Sequence, residues 1–297
     1  MAKLLSGKEV AQAMNARLVE RVETLVEAGV VPKLAIVRCG EKPSDLSYER
    51  GARKRAEALG VLVDTRVLPA DVDAEAVIDC IRALNADETV HGVLLFRPLP
   101  KPLRPREAEI RNAIVPEKDV DGMTDLSYAG VYSGRDDLGF PPCTARACVE
   151  LMDHYGIDCK GKRVTVIGRS LVVGRPLSML LLARHATVTI CHTRTADVPA
   201  EARRADILVS TAGELNVVTK DYVRPGQVLI DVSVNWNPDK PNQQGGLGAM
   251  AGDAVFEEVE PIVDAITPVP GGVGAVTTAV LLEHVITSAE RRLGEAF

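Results

Sequence analysis

A buried strand, a glycine turn and a helix start follow one another over residues 162–176, KRVTVIGRSLVVGRP, and this stretch limits the fold more than any other. Val164 to Ile167 are β-branched throughout, as expected of a strand covered on both faces in a parallel sheet. Gly168 ends the strand. Gly174 and Pro176 open a helix through Leu177, Leu180, Leu181 and Leu182, proline being tolerated where its missing N–H has no intrahelical partner. Free backbone N–H groups and the helix dipole make such a junction an anion site. The spacing Gly168 to Gly174 is not G-x-G-x-x-G, so an ordinary βα turn stays open beside a dinucleotide turn.

The rest of the chain supplies the βα alternation that this junction requires. Ser6-x-x-Glu9 reads as a capping box, followed by a helix whose stripe is Val10, Met14, Leu18, Val22 and Val26. Leu34–Val37 is a short buried strand, 45–59 a helix closed by Gly60, Val61–Leu68 strand-like, and 74–84 a helix with Val77, Ile78, Ile81 and Leu84 on one face. Val90–Leu95 is apolar and ends in Arg97-Pro-Leu-Pro100, where prolines stop ladder pairing. A helix is expected from Arg106 to Ala113. Residues 115–122, VPEKDVDG, read by pattern as a solvated turn, with Asp121 the alternative of a ligand-facing carboxylate. Beyond a linker at 139–144, strands are expected at 186–191, 207–211 and 228–232. Residues 237–248 read as a mobile loop, and a glycine-rich loop at 266–274 leads into a last helix at 277–293. Alternation of this kind predicts an α/β protein built on parallel sheets.

Ligands of parallel sheets sit beyond the carboxyl ends of the strands. The loops 168–174, 191–195, 211–213, 231–235 and 270–274 are therefore expected to share one rim. An acidic residue for an adenosine ribose is missing about 20 residues after the glycine turn; the strand ends instead in Cys191-His-Thr-Arg-Thr195. Arg169 and Arg194 suit a 2′-phosphate, although either alone reads equally as a solvated side chain. Net charge −6 and the lack of a basic run exclude a nucleic-acid binder. Six scattered cysteines without a C-x-x-C pair predict reduced thiols, no metal site and a cytoplasmic protein. No apolar run reaches membrane-spanning length, so no membrane partner is expected.

In order along the chain, Tyr48, Pro98-Leu-Pro100, Lys118-Asp-Val-Asp-Gly122, Gly168-Arg-Ser-x-x-Val-Gly-x-Pro176 and Pro270-Gly-Gly-Val-Gly274 resemble the bifunctional methylenetetrahydrofolate dehydrogenase/methenyltetrahydrofolate cyclohydrolase family. The likeness spans nearly the whole chain. It implies an N-terminal folate-binding catalytic domain over 1–142, completed by a C-terminal helix at 278–297. It implies a Rossmann-type doubly wound parallel sheet over 143–277, a folate cleft between the two, a homodimer and NADP as cofactor. Tyr48 and Asp121 are then the catalytic pair, stacking on the folate and anchoring its pterin edge; Pro98, Leu99, Gly271 and Thr277 complete the substrate site. Gly168, Arg169, Ser170, Gly174, Thr193, Arg194, Val232 and Gly272 correspond to the cofactor site.

Two departures qualify that resemblance. The family pattern Tyr-x-x-x-Lys ends here in Ala52, and Gln-x-Pro-Leu-Pro begins here with Phe96. Lys54 does not substitute, since about 200° of helix separates it from position 52. The expectation is a dehydrogenase with weak or absent cyclohydrolase activity. Its alternatives are the full bifunctional enzyme, for which Arg53 and Arg97 are poor proton acceptors, and a non-catalytic folate-binding relative.

Overall fold

The computed structural model describes residues 1–242 and 246–295. The chain opens with β1 (Lys3–Leu4), α1 (Gly7–Glu27), β2 (Lys33–Cys39), α2 (Pro43–Ala58), β3 (Leu62–Leu68), α3 (Ala74–Ala86), β4 (Gly92–Leu95), α4 (Glu107–Asn112) and α5 (Asp125–Ser133). It continues with α6 (Cys143–His154), β5 (Arg163–Ile167), α7 (Gly174–Ala183), β6 (Thr187–Cys191), α8 (Val198–Arg204), β7 (Ile207–Ser210) and β8 (Val228–Asp231). The last elements are β9 (Asn235–Pro241), β10 (Leu247–Ala251), α9 (Phe256–Val259), β11 (Ala265–Ile266) and α10 (Val273–Glu295).

These elements form two compact units, Met1–Gln12 with Thr144–Thr277 and Ala13–Cys143 with Thr278–Phe297. Residues 1–12 therefore belong with the larger sheet and not with the N-terminal domain expected over 1–142. The reason is local: β1 adds to the sheet edge, with Lys3 opposite Ala265 and Leu4 opposite Ile266. Residues 1–12 carry no strand signal, because a two-residue edge strand has no periodicity to read.

The unit 13–143 with 278–297 is built on a three-stranded parallel sheet ordered β3-β2-β4. Leu34 to Val37 on the central strand are fully buried, which is why that run is continuously apolar, whereas the edge strand β3 is half exposed. Val77, Ile78, Ile81 and Leu84 of α3 pack beside Val93 and Leu95 in one core cluster. On α1 the buried stripe runs Val10, Met14, Leu18, Val22 and then Leu25; Val26, expected to continue it, is exposed. Steps of four overshoot a 3.6-residue turn by about 40° each, and a step of three corrects the drift.

The unit 1–12 with 144–277 carries an all-parallel six-stranded sheet, β1-β11-β8-β7-β5-β6. Ile167 lies in register with Cys191 and Ser210, and Ser210 with Asp231. The strand ends at 167, 191, 210, 231 and 266 consequently lie along one edge, as the rim argument requires. The loop expected over 237–248 is instead largely the antiparallel hairpin β9–β10, in which Trp236 faces Met250 and Asn235 faces Ala251. Polar composition hid β9, whose residues are largely exposed; residues 243–245 of the expected loop lie outside the described residues. Among the described residues no helix is long and apolar enough to cross a membrane.

Candidate active site

The segment 115–122 is not the solvated turn that its charges suggest. Lys118 is buried, and its ammonium donates to the carbonyls of Leu84, Asn85 and Asp87 at 2.8–2.9 Å, closing the C-terminal end of α3. Asp119 is buried and accepts from the Met123 and Thr124 amides at 3.1 and 2.7 Å and from the Ser127 hydroxyl at 2.6 Å. Gly122 must be glycine: its φ is +69°, and an added Cβ would stand 2.5 Å from the Phe140 carbonyl oxygen. The loop is thus a rigid mount for Asp121. Replacing Lys118 with Met leaves three acceptors without a donor and is expected to cost about 2–3 kcal/mol; the urea midpoint measures it.

Asp121 is half-buried, with Arg97 Nη2 3.4 Å from its Oδ2. Arg97 also reaches Glu107 at 3.8 Å, so it is held between two carboxylates. Loss of hydration pushes the Asp121 carboxyl up to about 6, against the downward pull of Arg97. The buried Cys143 thiol beside it is kept protonated by burial and by that carboxylate. Tyr48, on α2, presents a ring that is 45% exposed, with its neighbour Phe96 packed edge-on at 5.5 Å. Desolvation of its hydroxyl, together with Asp121, raises the phenol above its ordinary range, so it stays a neutral donor.

The unit therefore brings Tyr48, Phe96, Arg97 and Asp121 to one place. Ala52 is buried at the next turn of α2. Pro98 is exposed and its carbonyl accepts from Lys42 at 2.9 Å. Leu99, expected at the substrate, is 1% exposed and packs in the core with Val77 and Ile81. With Pro98 turned to solvent, the next side chain turns inward, and an apolar one fills the core. Arg53 is engaged with Val63, Thr65 and Glu49, and Lys54 is exposed. Sequence reasoning missed Thr278, which is buried beside the Tyr48 hydroxyl and accepts from Arg55 Nη1 at 3.1 Å. Its only signal was a hydroxyl on the apolar face of the last helix.

In the six-stranded unit the junction at 168–174 is tightly closed. Gly168 has φ +119°, and an added Cβ would stand 2.3 Å from Thr211 Oγ1; one on Gly174 would stand 2.2 Å from the Gly168 carbonyl oxygen. Only glycines let turn, helix start and neighbouring loop approach so closely. Arg169, Ser170, Thr193 and Arg194 are exposed on the loops after the adjacent strands β5 and β6, and neither arginine makes an ion pair among the described residues. Ser170 Oγ accepts from the Val173 amide at 3.1 Å, while Arg194 N donates to His192 Nδ1 at 3.1 Å.

Val232, Gly271 and Gly272 line a cavity of about 300 Å³ formed by the loops after β8 and β11. Thr277, expected at the substrate, bonds back to the Val273 carbonyl at 3.3 Å as helical threonines do. Thr277 and Gly271 lie in this unit, away in the chain from the Tyr48–Asp121 group. The rim is braced by two acids that the sequence did not reveal as such. Asp231, pushed up to about 7 by desolvation, accepts from the Asp253 and Ala254 amides. Asp253 is fully buried and accepts from Ser210 Oγ, Ala212 N, Glu214 N and Asn235 Nδ2 at 2.7–3.0 Å. Closed glycine packing, paired loops carrying free guanidinium groups and an adjoining cavity fit a phosphorylated dinucleotide.

Comparisons with known proteins cover both units of the chain. The profile described as Tetrahydrofolate dehydrogenase/cyclohydrolase, catalytic domain, matches residues 5–121. The one described as Tetrahydrofolate dehydrogenase/cyclohydrolase, NAD(P)-binding domain, matches residues 142–293. "Bifunctional protein FolD" of Carboxydothermus hydrogenoformans is 49% identical over 290 residues, 98% of each chain. The bifunctional FolD methylenetetrahydrofolate dehydrogenase/cyclohydrolase of Campylobacter jejuni superposes with a TM-score of 0.91 at 34% identity, covering 98% of this chain and 100% of that one. The FolD of Trypanosoma brucei, solved with NADP and an inhibitor, gives 0.89 at 33% identity and covers 98% of each chain.

Proposed function

This chain belongs to the tetrahydrofolate dehydrogenase/cyclohydrolase family, and we propose that it oxidises methylenetetrahydrofolate with NADP and hydrates the methenyl product. The observation that carries the reading is the Tyr48–Asp121–Arg97 group mounted on the buried Lys118–Asp119 loop. An aminopyrimidinone edge offers adjacent N–H donors, and a carboxylate accepts such a pair in parallel. The exposed Tyr48 ring offers a flat face for the folate. NADP, when bound, supplies the hydride acceptor. The chain's own residues hold the pterin at Asp121, orient it on Tyr48 and bind phosphate at the 168–174 junction. The hydration half rests on the bifunctional relatives, which favour it over the loss of cyclohydrolase activity expected from the sequence.

One observation favours that second reading. Ala52 offers no proton acceptor, and the Phe96 ring occupies the neighbouring position against Tyr48. Losing a positioned acid–base group typically lowers a rate by about 10²–10⁴-fold. Supplying methenyltetrahydrofolate directly, in a buffer where spontaneous hydrolysis is slow, separates the readings. Strong enzyme-dependent decay supports the bifunctional enzyme; decay at the buffer rate, with NADP reduction from methylenetetrahydrofolate intact, supports a dehydrogenase alone.

The free guanidinium groups of Arg169 and Arg194 lead to a cofactor preference. A charge-assisted contact to a 2′-phosphate contributes on the order of 1.5–3 kcal/mol, so kcat/KM should favour NADP over NAD by about tenfold or more. Arg169→Ala should weaken NADP selectively. Equal use of both cofactors would contradict the assignment.

A further inference from the structure

Ala52 leaves the Tyr48 face of α2 without the cation that the family pattern places there, yet the structure brings a different one to the same face. Arg55 lies seven residues after Tyr48, within about 20° of it around the helix. Long helical side chains lean over the turn on their N-terminal side. Arg55 does so across Gly51, where its Nη1 is 3.8 Å from the place a Cβ would occupy. Glycine is unfavourable inside a helix, and here the guanidinium packs at contact distance over the place of the missing side chain, which a large side chain would fill. Nη1 donates to Thr278 Oγ1 at 3.1 Å. The buried Thr278 lies beside the Tyr48 hydroxyl.

We infer that Arg55 is a positioning residue for the folate reaction, aiming the Tyr48 hydroxyl through Thr278; the inference rests on the function proposed above. While Thr278 Oγ1 accepts from Arg55, its own O–H is available to donate to the Tyr48 oxygen. The phenolic proton is then left to donate to the bound ligand. Each link polarises the next. A guanidinium keeps its protons, so Arg55 fixes charge and direction but accepts no proton from water. That separates its role from that of an ionisable lysine at position 52.

The test uses the full chain with methylenetetrahydrofolate and NADP, comparing wild type with Arg55→Ala, Arg55→Lys, Gly51→Leu and, as control, the exposed Lys54→Ala. Arg55→Ala should lower kcat by about 10- to 100-fold while folate KM changes less than about threefold. Arg55→Lys, or guanidinium ion added to the Arg55→Ala enzyme, should recover part of that loss. Gly51→Leu, which fills that place, should lower kcat in the same direction, and Lys54→Ala should leave it unchanged. An active wild type whose Arg55→Ala variant keeps kcat within about twofold overturns this inference alone. So does a loss that neither lysine nor guanidinium restores. A wild type that reduces no NADP overturns the functional reading and this inference with it.

Discussion

Asp121→Asn is expected to remove nearly all dehydrogenase turnover from a protein that remains folded. Asparagine offers one acceptor oxygen and turns an amide toward the second pterin donor, so one contact is lost and two donors face each other. A hydrogen bond to a charged group contributes about 1.5–3 kcal/mol, so weakening both contacts lowers kcat/KM by roughly 10- to 150-fold for each. Folding survives because the loop is held by Lys118 and Asp119 rather than by Asp121. The same carboxylate sets an acid limb. With its pKa pushed up to about 6 by lost hydration, Asp121 takes up a proton below that pH and then accepts one bond fewer. Accordingly kcat/KM for the folate should fall as pH drops through about 6, and the limb should be missing from the residual activity of Asp121→Asn. Near-native turnover with normal folate affinity in that variant would make Asp121 a surface carboxylate.

Asp253→Ala should give the largest loss of stability. It strands the Ser210 hydroxyl, the Ala212 and Glu214 amides and the Asn235 side-chain amide, all of which now converge on one buried carboxylate. Breaking such a buried arrangement costs about 3–5 kcal/mol, a large share of the roughly 5–15 kcal/mol that holds a domain together. Urea unfolding should show a lower midpoint at an unchanged slope. A shift below about 1 kcal/mol would mean that water satisfies the stranded donors.

The β5–turn–α7 junction was readable because its chemistry is local: β-branched residues, then Gly168, then Gly174 and Pro176. The shared rim followed from parallel pairing alone, and the register of Ile167, Cys191, Ser210 and Asp231 bears it out. Residues whose roles depend on distant partners were not readable. Lys118 and Asp119 look like a solvated charge run until the carbonyls of α3 and the amides at 123–124 are in place. Leu99 follows the family motif, yet core packing decides where it points. Arg55 carried no signal, because its relevance comes from a gap at Gly51 and a hydroxyl more than 200 residues later. The strand β9 is polar and largely exposed, so composition reads it as loop.

Movement of a hydride from the one-carbon bridge of a folate to NADP can be followed with methylenetetrahydrofolate carrying two deuterium atoms on that bridge, incubated with the chain and NADP, with both products read by mass spectrometry. Hydride transfer puts one deuterium in each molecule of reduced cofactor and leaves one in the folate product. Both should disappear when Asp121 is asparagine. Unlabelled reduced cofactor, or a bridge that keeps both deuterium atoms while NADP stays oxidised, would contradict it.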